Sequence, residues 1–220
     1  MGPEGFTVNQ FLLLADEPLL FHCGFRSTFD EAAAAAARVL RPDRLRWIAF
    51  GHLEADETGA LHRWLAAAPD SVVLQGEIGC DVTLVDLADR PPRGIGDGVL
   101  LDLGGKRIRH LDTPHVPHAW DARVLYEEVT GTLLCGDLFT HPGDGPPLRA
   151  DDVVERALAA DDAFSTTCLT PTTAPTIRRL AELEPRTLAL MHGSSYDGDC
   201  VEALHALAKG YEQRLLARMP

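Results

Sequence analysis

Three predicted β-hairpins, set among predicted helices, constrain the fold of this chain most. Each hairpin pairs two apolar runs across a short turn built from Asp, Pro, Gly or Thr. Consecutive hairpins build antiparallel sheet, and together with helices they favour a layered α/β sandwich over a doubly wound parallel sheet. The hairpins join residues 6–14 to 19–24, 98–103 to 106–113, and 123–129 to 132–139.

Helical segments and single strands fill the rest of the chain. Helices are predicted at residues 28–40, 60–68, 151–164, 171–184 and 201–218, and strands at 47–50, 71–76, 81–88 and 187–193. The pattern predicts a mixed α/β (α+β) fold. With 220 residues, of which 45% are hydrophobic, one large core is expected, so residues 1–220 are predicted to form a single domain.

Composition limits the partners of the protein. Acidic residues outnumber basic ones 33 to 20 and give a net charge of -13, which argues against nucleic acid or an anionic membrane as a partner. The five cysteines are widely spaced and form no C-x-x-C pair, so neither a disulfide framework nor a thiolate zinc site is predicted. The N-terminus lacks a basic region followed by an apolar run, and a cytoplasmic location is expected.

Metal-compatible side chains follow several of the predicted strands. His52, Glu54 and Asp56 come directly after the strand at 47–50. In an extended segment these alternate residues would converge, while Leu53 and Ala55 would face the apolar interior. The other strand ends or adjoining loops carry His115, His118, Asp137 and His192. Such groups at the ends of buried strands predict a metal site on the loops.

These motifs resemble the metallo-β-lactamase superfamily, and within it the flavodiiron branch with the related stand-alone oxygen-binding diiron proteins. His52-x-Glu54-x-Asp56 is similar to that branch's H-x-E-x-D motif rather than to the H-x-H-x-D-H of the zinc hydrolases. His118 in HAWD precedes Asp137 by 19 residues, which agrees with the family interval, and His192 resembles the last ligand. The resemblance implies a four-layer αβ/βα sandwich.

The resemblance also implies a ligand set for two iron ions. One iron would take His52, Glu54 and His118, the second would take Asp56 and His192, and Asp137 would bridge them. Three carboxylates and three imidazoles form a harder, more anionic donor set than a histidine-dominated zinc site, which independently favours iron, with zinc or manganese as the alternative metals.

Two positions depart from the family pattern or leave a choice open. Glu57 stands where the family usually places a histidine, and it either binds the second iron or turns away and leaves a coordination position open. His115 follows Thr113-Pro114, as the histidine of the superfamily hydrolases does, but the interval to Asp137 favours His118. His115 and Tyr196 are then candidates for donors that lie outside the ligand set.

The function implied by the resemblance is the binding or reduction of dioxygen or nitric oxide. No phosphate loop for a flavin is evident in the sequence, so electrons are expected from a separate donor protein, and the resemblance also suggests a homodimer. The alternative is a dinuclear metallohydrolase that acts on a small-molecule ester, thioester or lactone. Glu54 disfavours this alternative, because the zinc hydrolases favour histidine at that position.

Overall fold

Two β-sheets face each other in the computed structural model, which describes residues 5–219. The N-terminal sheet has the strand order β1-β2-β3-β4-β5. Its first pair is antiparallel and the remaining pairs are parallel. The strands are β1 (Phe11–Leu13), β2 (Leu19–Phe21), β3 (Trp47–Ala49), β4 (Val72–Gly76) and β5 (Arg93–Ile95).

The C-terminal sheet has the strand order β10-β12-β11-β9-β8-β7-β6. A meander of antiparallel neighbours runs from β6 to β9, and β9 then pairs in parallel with β11. The strands are β6 (Leu100–Asp102), β7 (Arg107–Asp112), β8 (Arg123–Glu127), β9 (Thr132–Leu134), β10 (Leu148–Arg149), β11 (Thr187–Ala189) and β12 (Ser195–Tyr196).

Alternation along the strands divides the apolar side chains between two packing layers. Leu19 and Phe21 point to the core between the sheets, where they join Leu134 of the opposite sheet. Leu20 and Leu133 point outward, each into a core that lies under helices. The sheets are therefore apolar on both faces, and the order of layers is helices, sheet, sheet, helices.

The helices cover the two outer faces. Phe29, Leu61 and Trp64 cover the N-terminal sheet, and Ile177 and Leu204 cover the C-terminal sheet. None of the helices within residues 5–219 is long and apolar enough to cross a membrane. The helices are α1 (Phe29–Ala37), α2 (Ala55–Thr58), α3 (Leu61–Ala67), α4 (Glu77–Gly79), α5 (Val85–Leu87), α6 (Val154–Phe164), α7 (Thr173–Ala181) and α8 (Cys200–Arg218).

All three predicted hairpins are present as antiparallel pairs, and the predicted four-layer sandwich is confirmed. The first hairpin is shorter than predicted, because its first strand begins at Phe11 rather than at Phe6. The strand predicted at residues 81–88 is wrong. A π-helical segment, Cys80–Leu84, continues from α4 into α5 there. β4 is paired with β3 on one side and with β5 on the other, so residues 93–95 rather than 81–88 supply its second neighbour.

Candidate metal centre

Four loops at one end of the sandwich carry the predicted ligands. His52 lies three residues beyond β3, Asp137 three residues beyond β9, and His192 three residues beyond β11. β9 and β11 are parallel neighbours and present their carboxyl ends at the same edge of the C-terminal sheet, and the facing N-terminal sheet brings the loop after β3 to the same place. His118 comes from the loop between β7 and β8. The two sheets are tied together at this point by Arg123 N–H, which donates to the carbonyl of Gly51 at 3.0 Å.

The His-x-Glu-x-Asp motif is only partly extended. Glu54 has extended backbone angles (φ -133°, ψ 159°) and precedes α2, so Asp56 already lies in the first turn of a helix. The expectation that Leu53 and Ala55 both face the interior is therefore wrong for Ala55, which is exposed, whereas Leu53 packs against the core under the helices. The helical start still directs Asp56 toward His192, where Asp56 Oδ2 lies 3.2 Å from His192 Nε2.

The first donor group consists of His52, Glu54 and His118. One ligand atom from each of these residues and one from Asp137 all lie within 4.8 Å of one another. Glu54 Oε2 lies 2.8 Å from His52 Nε2 and 3.2 Å from His118 Nε2. The rings of the two histidines meet edge to face, with centroids 4.7 Å apart. These four side chains could hold one metal ion.

The second donor group consists of Asp56 and His192, and Asp137 lies between the two groups. Oδ2 of Asp137 is 3.2 Å from His118 Nε2, while its Oδ1 is 3.3 Å from His192 Nε2. Each carboxylate oxygen thus faces a different group. Asp56 Oδ1 and Asp137 Oδ1 are buried and accept no hydrogen bond from the described residues. Buried acceptors without a donor are rare in folded proteins and fit a bound cation, so the residues suit a pair of metal ions.

Mutual attraction dominates the ionisation of the cluster. Burial lowers the pKa values of His52 and His192, but hydrogen bonds and attraction from neighbouring carboxylates outweigh it and raise both to about 10. A hydrogen bond with Asp137 raises the pKa of His118. Burial raises the pKa of Asp137, yet its hydrogen bond with His118 and its attraction to His52 and His192 hold that pKa well below its usual range. The carboxylates therefore strongly favour positive charge at this site.

Residues near the N-terminus orient the ring of His192. His192 Nδ1 lies 2.7 Å from the carbonyl oxygen of Thr7, which only accepts, so Nδ1 keeps its proton and Nε2 is the nitrogen that would bind a cation in exchange for its own proton. The ring of Phe6 stacks on His192 with centroids 4.3 Å apart. Neither contact of this N-terminal segment was predictable from a local pattern, because Thr7 lies 185 positions from His192 in the chain and Phe6 precedes Thr7.

Asp121, the last residue of HAWD, also has a role that the sequence analysis did not assign. It is buried, and its Oδ2 accepts a hydrogen bond at 3.2 Å from the N–H of Leu53. Asp121 thereby fixes the segment between His52 and Glu54 from the opposite loop. Its place in the motif that contains His118 was the available signal.

Glu57 turns away from the second donor group. Its side chain is fully buried, and Oε1 lies 3.0 Å from Nδ1 of His52. His115 is exposed, and no hydrogen bond or ion pair joins its side chain to the rest of residues 5–219. Tyr196 packs in the core under α7 and α8. Neither His115 nor Tyr196 has a polar contact with the cluster within the described chain.

The four-layer sandwich defines a metallo-β-lactamase fold, and the cluster adds histidine and carboxylate side chains that could hold metal ions. Residues 6–193 match the ODP family beta lactamase, and the chain belongs to that family. This match agrees with the resemblance drawn from the H-x-E-x-D motif.

Individual relatives are similar over nearly the whole chain. The nitric oxide reductase of Moorella thermoacetica is 24% identical over 218 residues, which cover 95% of this chain and 54% of that protein. Rubredoxin oxygen:oxidoreductase from Desulfovibrio gigas superposes with a TM-score of 0.82 at 20% identity and covers 96% of this chain and 55% of that one. The chain thus spans about half the length of these proteins.

A third similar protein has nearly the same length. The chemotaxis sensor ODP from T. denticola, solved in its apo state, superposes with a TM-score of 0.77 at 20% identity. The alignment covers 94% of this chain and 90% of the sensor. At these identities the solved structures establish the shared fold, and the matched lengths establish that the fold occurs both alone and as part of longer proteins.

Proposed function

We propose that the protein binds or reduces dioxygen or nitric oxide at a non-haem diiron centre. The observation that carries this proposal is the position of Asp137, whose two oxygens face separate donor groups. A carboxylate placed in this way can bridge two metal ions. His52, Glu54 and His118 would hold one ion, and Asp56 with His192 would hold the other.

The chemistry of the donor set supports iron. Carboxylate oxygen and imidazole nitrogen suit iron and manganese, and the cysteines nearest in sequence to these loops are buried in the cores. Three carboxylates offset most of the charge of two divalent ions and leave a net positive centre that attracts a small electron-rich ligand. When bound, the irons would supply the electrons for reduction of the gas.

Residues around the centre control access to it. A cavity of about 400 Å³ reaches Asp137 and is lined mainly by apolar groups, among them Phe6, Pro117 and Phe164. Dioxygen and nitric oxide are small and weakly polar, so such a lining admits them without a desolvation cost. Phe6 also covers the ring of His192 and helps to exclude bulk water from it.

Electron balance requires a partner for sustained turnover. Two nitric oxide molecules take up two electrons and two protons to form nitrous oxide and water. Two ferrous ions would supply the two electrons once, and solvent would supply the protons. Dioxygen needs four electrons and four protons to form water. We therefore propose a separate electron-donor protein for an enzyme. A sensor would need only slow re-reduction.

The cytoplasmic location, the absence of a flavin and a homodimer stay predictions from the sequence.

The proposal is tested by metal analysis after growth with iron and zinc both available, followed by anaerobic reduction. We expect about two irons per chain and near-ultraviolet absorption that bleaches on reduction and returns with dioxygen. Nitrous oxide formed from nitric oxide at many turnovers with an added reductant identifies a reductase, and a single spectral cycle identifies a sensor. About two zincs and no redox-linked absorption would refute the proposal.

Two variants localise the metals. Asp137→Asn removes a charge that both donor groups share, so we expect both irons to bind more weakly. Glu127→Gln is the matched control, because Glu127 is also a buried carboxylate but lies at the opposite end of β8 from the cluster and accepts hydrogen bonds from Val129 and Thr130. Its iron content should equal that of the wild type.

A second candidate function is hydrolysis of an ester, thioester or lactone. The cavity beside Asp137 favours it, since about 400 Å³ lies within the size range of sites for small organic molecules and exceeds the needs of a diatomic gas. A screen of zinc-loaded protein against esters and lactones distinguishes the two. Hydrolysis that is lost in Asp137→Asn and retained in Glu127→Gln would favour the hydrolase.

A further inference from the structure

Glu57 is a buried carboxylate that contacts a predicted ligand from behind. Nε2 of His52 faces Glu54 and Asp137, at 2.8 and 3.7 Å. Its other ring nitrogen, Nδ1, lies 3.0 Å from Oε1 of Glu57, a buried oxygen that accepts no hydrogen bond from any other described residue. A carboxylate only accepts, so when a cation replaces one proton of His52, Glu57 favours the form that keeps the proton on Nδ1 and directs the lone pair of Nε2 at the donor group.

The main chain holds the Glu57 carboxylate in this position. The N–H groups of Gly51 and His52 both donate to Oε2, the latter at 3.0 Å. Gly51 leaves the required space, because a Cβ there would lie 2.9 Å from Oε1 and 3.1 Å from Oε2. The N–H of Cys23 donates to the carbonyl of Glu57 at 2.6 Å. With both ends of the residue fixed, the carboxylate is not available to the second donor group.

The two donor groups are consequently unequal. His52, Glu54 and His118 together with Asp137 offer four protein donors, and the orientation of one of them is fixed by Glu57. Asp56 and His192 together with Asp137 offer three. Affinity for a metal ion rises with the number of donors and with their preorganisation.

We propose that Glu57 is the positioning residue of His52 and not a metal ligand, and that it makes the first donor group the tighter of two unequal metal positions. This inference rests on the proposed dinuclear centre. It assigns the open coordination position to the ion held by Asp56 and His192, and that ion is the one lost first when metal is limiting.

The test is a titration of metal-free protein with zinc against a competing chelator. Zinc is diamagnetic and accepts the same imidazole and carboxylate donors. Wild-type protein should bind two zincs with clearly different affinities. Glu57→Gln keeps the size of the side chain, but its single carbonyl oxygen cannot serve both the main-chain donors and His52. We expect the tighter affinity to fall about 10- to 100-fold and the weaker affinity to stay within a factor of about two.

Nitrogen-15 spectra of the histidine rings add a signature that general destabilisation would not produce. In zinc-loaded wild type, His52 should carry its proton on Nδ1 and bind zinc through Nε2. In Glu57→Gln the Nδ1 signal should shift or disappear while that of His192 is retained. Glu127→Gln, the control introduced above, should leave both affinities and both rings unchanged.

Each result either supports or overturns the positioning role of Glu57. Loss of the weaker zinc in Glu57→Gln would make Glu57 a ligand and overturn the inference, as would unchanged affinities in that variant. Binding of zinc through Nδ1 of His52 in the wild type would overturn it even if Glu57→Gln does not fold. Failure of the wild type to bind two zincs would refute the dinuclear centre itself, which separates the failure of the proposed function from that of the positioning role.

Discussion

Removal of metal should make the stability of the protein fall steeply in alkaline solution. His52 and His192 have pKa values raised from 6.5 to about 10 by their carboxylate neighbours. Protons bound more tightly in the folded state than in the unfolded state stabilise the fold. Because both pKa values are raised, this stabilisation is fully present below pH 6.5 and is lost as the pH rises through about 10.

The size of the effect follows from the shifts. Each pKa unit corresponds to about 1.4 kcal/mol, so between pH 7 and pH 10 each histidine loses roughly 3 kcal/mol of its contribution. Both histidines interact with Asp137, and the total is therefore on the order of 3 to 6 kcal/mol. That is a large share of the roughly 5 to 15 kcal/mol typical of a folded domain. In metal-loaded protein a cation takes the place of the protons, and the loss should be small.

The assay is urea unfolding of chelator-treated and metal-loaded protein at intervals from pH 6.5 to pH 10. The double variant His52→Gln and His192→Gln is the control, because it retains every cysteine and tyrosine that also titrates in this range. The expected result is a steep slope for metal-free wild type alone. Equal slopes for metal-free wild type and the double variant would refute the reasoning.

Two further predictions concern residues outside the cluster. Burial and the charge of Arg123 lower the pKa of His110 to about 3, so the unfolded chain takes up the proton first and the free energy of unfolding should fall as the pH drops from 6.5 toward 3. In His110→Gln a plot of the free energy of unfolding against pH should be flatter over this range. A plot parallel to that of the wild type would contradict this. A Cβ on Gly76 would lie 1.7 Å from the Arg123 guanidinium, whereas one on Gly96 would lie an ordinary 3.6 Å from its nearest neighbour. Gly76→Ala should therefore cost at least about 2 kcal/mol in urea unfolding and Gly96→Ala less than about 1, and equal costs would contradict the packing.

The layered α/β sandwich was predictable because its signals are local, and the family resemblance added the expectation of four layers. Hairpin turns mark the antiparallel pairs, and strands such as β3 and β9 are short apolar runs, each followed after two residues by a candidate ligand. The segment at 81–88 was not predictable in this way. Its residues DVTLVDLA have the branched side chains of a strand, but only Leu84 among them is buried. The strand that pairs with the second edge of β4 is instead β5, which has only three residues and follows two prolines.

The site was predictable in its residues and less so in its geometry. Residue types and intervals indicated His52, Glu54 and Asp56, and the structure brings all three to the cluster. The same signals could not decide the direction of Glu57. Extended alternation describes the segment only as far as Glu54, and the helix that starts at Ala55 separates neighbouring side chains by about 100°. Asp56 therefore faces His192 while Glu57 faces the interior.

The division of the cluster between the sheets determines the order in which the protein can be completed. His52, Glu54 and Asp56 follow a strand of the N-terminal sheet, whereas Asp137 and His192 follow strands of the C-terminal sheet. The outermost members, His52 and His192, are 140 positions apart in the chain. During synthesis the early half emerges with an incomplete set of donors. All six side chains come together only when β11 is paired with β9 and the two sheets are docked, so a metal bound by all of them would report that both halves are folded.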